Sequence, residues 1–147
     1  MNPAGTMSPL LKKLQYKPPV NVYVLYHPLE FEGEFNQMKV QVPVSTGCPD
    51  QADLSFVLTF VRSELEIEDT FKLLQDRLKG DSIVWYAFPK KSSRKYTVDI
   101  YRDRGWDSLI RAGFVPVRAV SIDEDWTALR FRRVEYIKSM TRTFRPV

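Results

Sequence analysis

Five stretches of the chain carry the apolar rhythm of strands, and four others carry the rhythm of helices. Val20–Tyr26 (VNVYVLY), Leu54–Val61 (LSFVLTFV) and Ile83–Phe88 (IVWYAF) are nearly continuous apolar runs rich in β-branched and aromatic residues. That is the pattern of strands covered on both faces. Ser8–Gln15 offers a serine cap, a first-turn proline and Leu10, Leu11 and Leu14 at helical spacing. Leu29–Met38 sets Leu29, Phe31, Phe35 and Met38 among Glu30, Glu32 and Glu34, a helical pattern weakened by Gly33. Ser63–Glu66 has the form of a capping box, and Ile67, Phe71, Leu74 and Leu78 then make an apolar stripe that Gly80 ends. A further helix is expected from a cap at Thr97 or Asp99 to Ala112, stopped by Gly113. Gln41–Asp53, with Pro43, Gly47 and Pro49, reads mostly as loop.

Strands that alternate with helices imply βαβ crossovers, so the expected class is α/β: a three-layer open sheet, mainly parallel, with a C-terminal antiparallel hairpin strand. The hairpin follows from chain length. Phe114–Ile122 and Thr127–Val134 are separated only by Asp123–Trp126, too few residues for a crossover. Pairing Ile122 with Thr127 sets Val120 opposite Leu129 and Arg118 opposite Phe131, with the apolar residues on one face. A slip by one residue sets Arg118 opposite Arg130, so the first register is expected. Tyr136–Val147 is expected to pack Tyr136, Ile137 and Met140. Residues 1–6 read as a tail, with Met7 as a second start, and residues 7–147 as a single α/β domain.

The totals narrow the class without naming a function. A chain of 147 residues with 44% hydrophobic and 27% charged residues fits a globular domain with a packed core and excludes a disordered or collagen-like chain. Cys48 is the only cysteine and His27 the only histidine, so neither a disulfide nor a zinc set can be assembled. No cofactor or metal is expected, and the reducing cytoplasm is the expected location. No apolar run reaches the ~18 residues of a membrane span. The net charge of +4 is unevenly held: residues 1–87 carry a balance of −3 and residues 88–147 one of +7. Those basic residues alternate with acids and apolar positions rather than forming a block, so dedicated nucleic-acid binding is not expected. Oligomeric state is left open.

Candidate chemistry gathers after the third strand. In open parallel sheets ligands sit at the carboxyl ends of strands. The loop Pro89–Thr97 should lie there, with Lys90, Lys91, Arg94 and Lys95 for charge and Ser92 and Ser93 for hydroxyls. These six residues are the candidate site for a small anion or phosphorylated ligand, although no glycine-rich turn lets the backbone close on a phosphate. Asp103 falls on the apolar face of the expected 97–112 helix with Ile100, Trp106 and Ile110, and needs a partner. Arg118, on the next strand, is the natural candidate, and an Asp103–Arg118 pair would be structural before it was catalytic. Asp123, Glu124 and Asp125 are the residue types of a metal site, but a tight hairpin turn uses the same ones. Trp85 and Trp126 read as packing residues. Cys48 is not expected to act as a nucleophile, and no Ser-His-Asp set is expected, because the one histidine, directly before Pro28, would have to serve as the only base. No catalytic constellation is legible.

Three strings carry a resemblance: Ile83–Ser92 (IVWYAFPKKS), Asp99–Trp106 (DIYRDRGW) and Val117–Phe131 (VRAVSIDEDWTALRF). They resemble a small bacterial family of unknown function marked by Trp-x-x-x-Pro-Lys-Lys and Val-Asp-Glu-x-Trp-Ser-Ala-Leu segments. The likeness covers residues 9–135; it implies a bacterial source and a single domain, and brings no activity. Thr127 stands where serine is usual. Separately, Asp53–Phe88 resembles the later half of a class I methyltransferase: an acid before an apolar strand, a helix, Leu78-Lys-Gly80 and another strand. The glycine-rich turn such enzymes place after their first strand is missing, because Tyr26 is followed by His27-Pro28-Leu29. The expected function is therefore binding of a small anionic ligand at 89–97. The alternatives are an interaction module using the basic C-terminal face and a degenerate methyltransferase-like protein.

Overall fold

The computed structural model describes residues 8–18, 20–46 and 53–137. Along the chain come α1 (Pro9–Lys13), β1 (Val22–Leu25), a 3-10 turn (Leu29–Phe31), α2 (Glu32–Gln41), β2 (Val44–Thr46), β3 (Leu54–Phe60) and α3 (Glu64–Leu74). They are followed by β4 (Leu78–Pro89), α4 (Asp107–Arg111), β5 (Phe114–Ser121), β6 (Trp126–Arg133) and a 3-10 turn (Val134–Tyr136). The strands form one six-stranded sheet in the order β2-β1-β3-β4-β6-β5. β2, β1, β3 and β4 run parallel, and β6 is antiparallel to both neighbours. The predicted class, mainly parallel with an antiparallel C-terminal strand, is the one the chain adopts.

Alternation along the strands builds two cores. In β3, Phe56, Leu58 and Phe60 join one side with Leu10, Leu11 and Leu14 of α1 and Phe35 and Met38 of α2. Val57 and Val61 join the other side with Ile67, Phe71 and Leu74 of α3 and Leu109 of α4. In β4, Trp85 and Ala87 face the first core while Val84, Tyr86 and Phe88 face the second. Strands buried on both faces read as continuous apolar runs for this reason. The chain leaves β1 for β2 through α2 on one face, then returns past β1 to β3 and moves on to β4 through α3 on the other. Right-handed crossovers that travel in opposite directions must place their helices on opposite faces. β1 and β3 therefore flank the point where the sheet reverses its strand order.

The structure departs from the sequence pattern in four places. First, Val44–Thr46, read as loop, pairs in parallel with Val22–Val24. Second, α3 stops at Leu74, and Leu78, although in helical phase, is a strand residue opposite Leu54. β4 reaches back that far because Gly80, at φ +58°, lets it bulge, so that Phe56 next meets Ile83. Ser82 holds the bulge by donating its hydroxyl at 2.7 Å to the carbonyls of Leu54 or Lys79. Third, the expected 97–112 helix is only Asp107–Arg111. Residues 101–104 fold into a tight turn in which Tyr101 and Arg104 exchange backbone hydrogen bonds, and the Trp106 indole donates to the Tyr101 carbonyl at 2.6 Å. Gly105 sits at φ +106°, where a Cβ would lie 2.8 Å from Ile100 Cγ2. That conformation excludes a helix through the segment. Fourth, the β5–β6 hairpin takes the other register: Ser121 pairs with Thr127, Val120 with Ala128 and Arg118 with Arg130. A bulge between Pro116 and Arg118 then sets Pro116 opposite Phe131, leaving Phe114 and Leu129 in one core and Val120 and Ala128 in the other.

Among the described residues no helix is long and apolar enough to cross a membrane. Ile137 is half-buried and Tyr136 is 37% exposed, while Met140, Cys48 and residues 1–7 fall outside the described residues.

Candidate functional site

The carboxyl ends of β1, β3 and β4 meet around one carboxylate. Glu30, in the turn that follows β1, accepts hydrogen bonds from the Tyr96 hydroxyl at 2.6 Å and the Trp126 indole N–H at 2.8 Å. Its second oxygen takes the Lys95 ammonium at 3.2 Å. Trp126 opens β6 and is 1% exposed, so its N–H requires a partner inside the fold. Phe31 and Phe60 pack beneath, with ring centroids 4.9 Å apart, and Phe60 meets Trp126 at 5.2 Å. Burial works to raise the Glu30 pKa, but the hydrogen bonds from Tyr96, Trp126, the backbone and Lys95 outweigh it and hold the carboxyl at about 2. Burial first, and then the bond to the Glu30 anion, push the Tyr96 phenol up to about 12.

Neighbouring loops complete this edge. Tyr26 leaves β1 at φ +60°, a left-handed backbone rare for a bulky side chain, and its ring stays 63% exposed. His27 turns inward: its ring stacks on Phe35 at 4.4 Å and its Nε2 lies 2.7 Å from Glu32. After β3, Ser63 caps α3 by accepting from the Glu66 N–H, and the Glu66 carboxylate accepts from the Arg62 N–H. The Arg62 side chain is exposed, and its charge is felt at Tyr96.

The loop at 90–95 lies on this edge as predicted, and most of its side chains are engaged with the protein. Lys90 donates to Ser121 Oγ at 2.7 Å, Lys91 lies over the Tyr101 ring at 5.6 Å and Lys95 meets Glu30. Ser93 donates to Asp125 at 2.7 Å and accepts from the N–H groups of Lys95 and Tyr96. Ser92 and Arg94 are exposed. The remaining candidates separate. Asp103 lies in the 101–104 turn and Arg118 on the edge strand, both exposed, and among the described residues no ion pair joins them. The predicted Asp103–Arg118 pair is corrected, because the helix that would have aimed Asp103 inward does not form. Asp123 closes the hairpin by accepting from the Asp125 and Trp126 N–H groups at 2.8 Å. Trp85 packs fully buried and donates to the Leu14 carbonyl at 3.0 Å. Glu30, Tyr96 and Arg62 escape the sequence reading; the one available signal is a buried tryptophan whose N–H needs an acceptor.

No protein-family model and no curated protein sequence matches the chain. Solved structures do. A SAM-dependent methyltransferase from Aquifex aeolicus aligns with TM-score 0.53 and 12% identity over 85% of this chain and 88% of that one. A candidate type 11 methyltransferase from Sulfolobus solfataricus aligns with TM-score 0.50 and 11% identity over 95% of each chain. The pyocyanin biosynthetic protein PhzM gives TM-score 0.56 and 11% identity over 85% of this chain and 53% of that one. At such identities the likeness is one of fold: the chain has a Rossmann-like α/β fold of the kind these three proteins share.

Proposed function

We propose that the protein is a binding module on a methyltransferase-like scaffold, receiving an acidic group of its ligand at the carboxyl edge, and that it does not transfer methyl groups. The carrying observation is the closure of that edge around Glu30. In this fold a nucleotide-like cofactor sits where strand order reverses, and it needs the backbone after β1 to come close. Here that backbone is Tyr26-His27-Pro28-Leu29: Pro28 has no N–H to offer, His27 is stacked on Phe35, and Tyr26 bears a side chain where a glycine would leave room. These residues do not fit S-adenosylmethionine, the cofactor of the Aquifex protein.

The same edge keeps unmatched positive charge. Two of its carboxylates are occupied, Glu30 by Tyr96, Trp126 and Lys95, and Asp125 by Ser93. Arg62 and Arg94 are exposed, with no ion pair among the described residues. Exposed guanidinium groups suit recognition of carboxylate or phosphate. Two titrations test the reading. Calorimetry with S-adenosylmethionine should show no heat, and one-to-one binding would defeat it. ADP should raise the melting temperature, and Arg62→Gln with Arg94→Gln should diminish the rise; an undiminished rise in that double variant would place the acid-binding surface elsewhere.

A further inference from the structure

The register of the β5–β6 hairpin sets two guanidinium groups against each other. Arg118 and Arg130 are direct cross-strand partners on the face that also carries Val120 and Ala128. Opposed residues of an antiparallel pair have Cβ atoms about 5 Å apart, and like charges there are destabilising. The chain reaches this pairing through the bulge between Pro116 and Arg118. Arg130 is half-buried beside Trp85, its partner on β4. Its terminal nitrogen donates to the Gln15 side-chain carbonyl, and Gln15 is held at φ +64°, a backbone conformation uncommon outside glycine and asparagine. Its Nε–H is buried and has no acceptor. Arg132, two residues on, is neutralised by a two-pronged contact with Asp81 at 2.6 and 2.9 Å. Arg118 is exposed and has no such carboxylate among the described residues.

We propose that Arg118 and Arg130 form an oxyanion site, distinct from the carboxyl edge, that takes the phosphoryl group of a small phosphate monoester. The group bridges the two guanidiniums through their terminal nitrogens, and the buried Arg130 Nε–H beside it reports the binding. A dianion there converts the repulsion between the arginines into two charge-assisted contacts. Gln15 fixes the plane of Arg130, so that little side-chain freedom is lost on binding. Burial of Arg130 and then the charge of Arg132 disfavour its protonated form, Asp81 offsets part of this, and Arg118 adds to it.

Inorganic phosphate is the probe, compared with sodium chloride at equal ionic strength so that general salt effects cancel. In 1H–15N spectra, phosphate should move the Arg130 Nε–H resonance, and it should raise the melting temperature of the wild-type chain. Arg118→Gln should weaken phosphate at least tenfold while raising the phosphate-free melting temperature, because it removes the repulsion without touching the core. Arg118→Lys, which keeps charge but not the fork, should bind at an intermediate level. Arg62→Gln with Arg94→Gln should leave the Arg130 response intact, which separates this site from the carboxyl edge. The proposal is overturned if Arg118→Gln responds to phosphate as fully as the wild type, or if the Arg130 Nε–H resonance does not move. A dT oligomer that shifts that resonance when phosphate does not would assign the pair to a nucleic-acid backbone and overturn the small-ligand assignment.

Discussion

Glu30 is one of three acids at alternate positions, with Glu32 and Glu34, and only the assembled fold singles it out. Its partners lie 66 and 96 residues away in the chain. A carboxyl held at about 2 against an ordinary value of 4.5 favours folding above the unfolded pKa. That contribution is lost as pH falls from about 4.5 towards 2. Urea denaturation across that window should therefore show a fall in stability that Glu30→Gln flattens, the variant being less stable at pH 7 by about 1–3 kcal/mol because its amide cannot replace the anion. Tyr96 has the opposite sign: a phenol raised to about 12 from 10.0 stabilises the fold below pH 10 and ceases to do so as pH rises through 12. Absorbance titration should find one tyrosine ionising near pH 12, moving back towards 10 in Glu30→Gln. At this scale the sequence showed the basic loop but not the carboxylate it surrounds. Surface and buried glutamates are written with the same letter, and what separates them is a hydroxyl and an indole brought in from later strands.

At the scale of elements, what was legible followed from period. β3 and the start of α3 could be read from an unbroken apolar run and from the spacing of Ser63 and Glu66, features confined to a few neighbouring residues. What was not legible depended on single backbone conformations. Leu78 fits a helix by spacing, and only Gly80 in the left-handed region shows that the chain has already entered β4. Gly105 does the same for the lost helix, and it yields a contrast. Gly105→Ala combines φ +106° with a 2.8 Å approach to Ile100 and should cost about 1–3 kcal/mol. Gly33→Ala, inside α2 with nothing within 4 Å of the added Cβ, should stabilise by about 0.5–1 kcal/mol. Thermal melts of the two variants check the pair; equal shifts would mean that the 101–106 turn does not hold Gly105 as described. The hairpin register was hidden for a related reason, since a bulge at Val117 changes the parity of everything before it without changing composition.

For the whole molecule, the Glu30 cluster ties the turn after β1 to the loop after β4 and to the first residue of β6, so the parallel and antiparallel parts of the sheet share one set of hydrogen bonds. The described chain should then unfold in one step. Far-ultraviolet dichroism and tryptophan fluorescence, the latter dominated by buried Trp85, Trp106 and Trp126, should give coincident urea transitions, and separated midpoints would show that the halves come apart independently.

The position of β6 also bears on how the chain is made. β6 fills the slot between β4 and β5, yet it is the last of the described strands to be synthesised. While the chain emerges from a ribosome, β5 has no edge to join, because the place beside β4 belongs to a strand that follows it. The free edge of β4, with Val84 and Tyr86 on one face and Trp85 on the other, stays open until Trp126–Arg133 has emerged. The sheet therefore closes only once β6 has emerged, and until then an exposed apolar strand edge makes the nascent chain a substrate for chaperones.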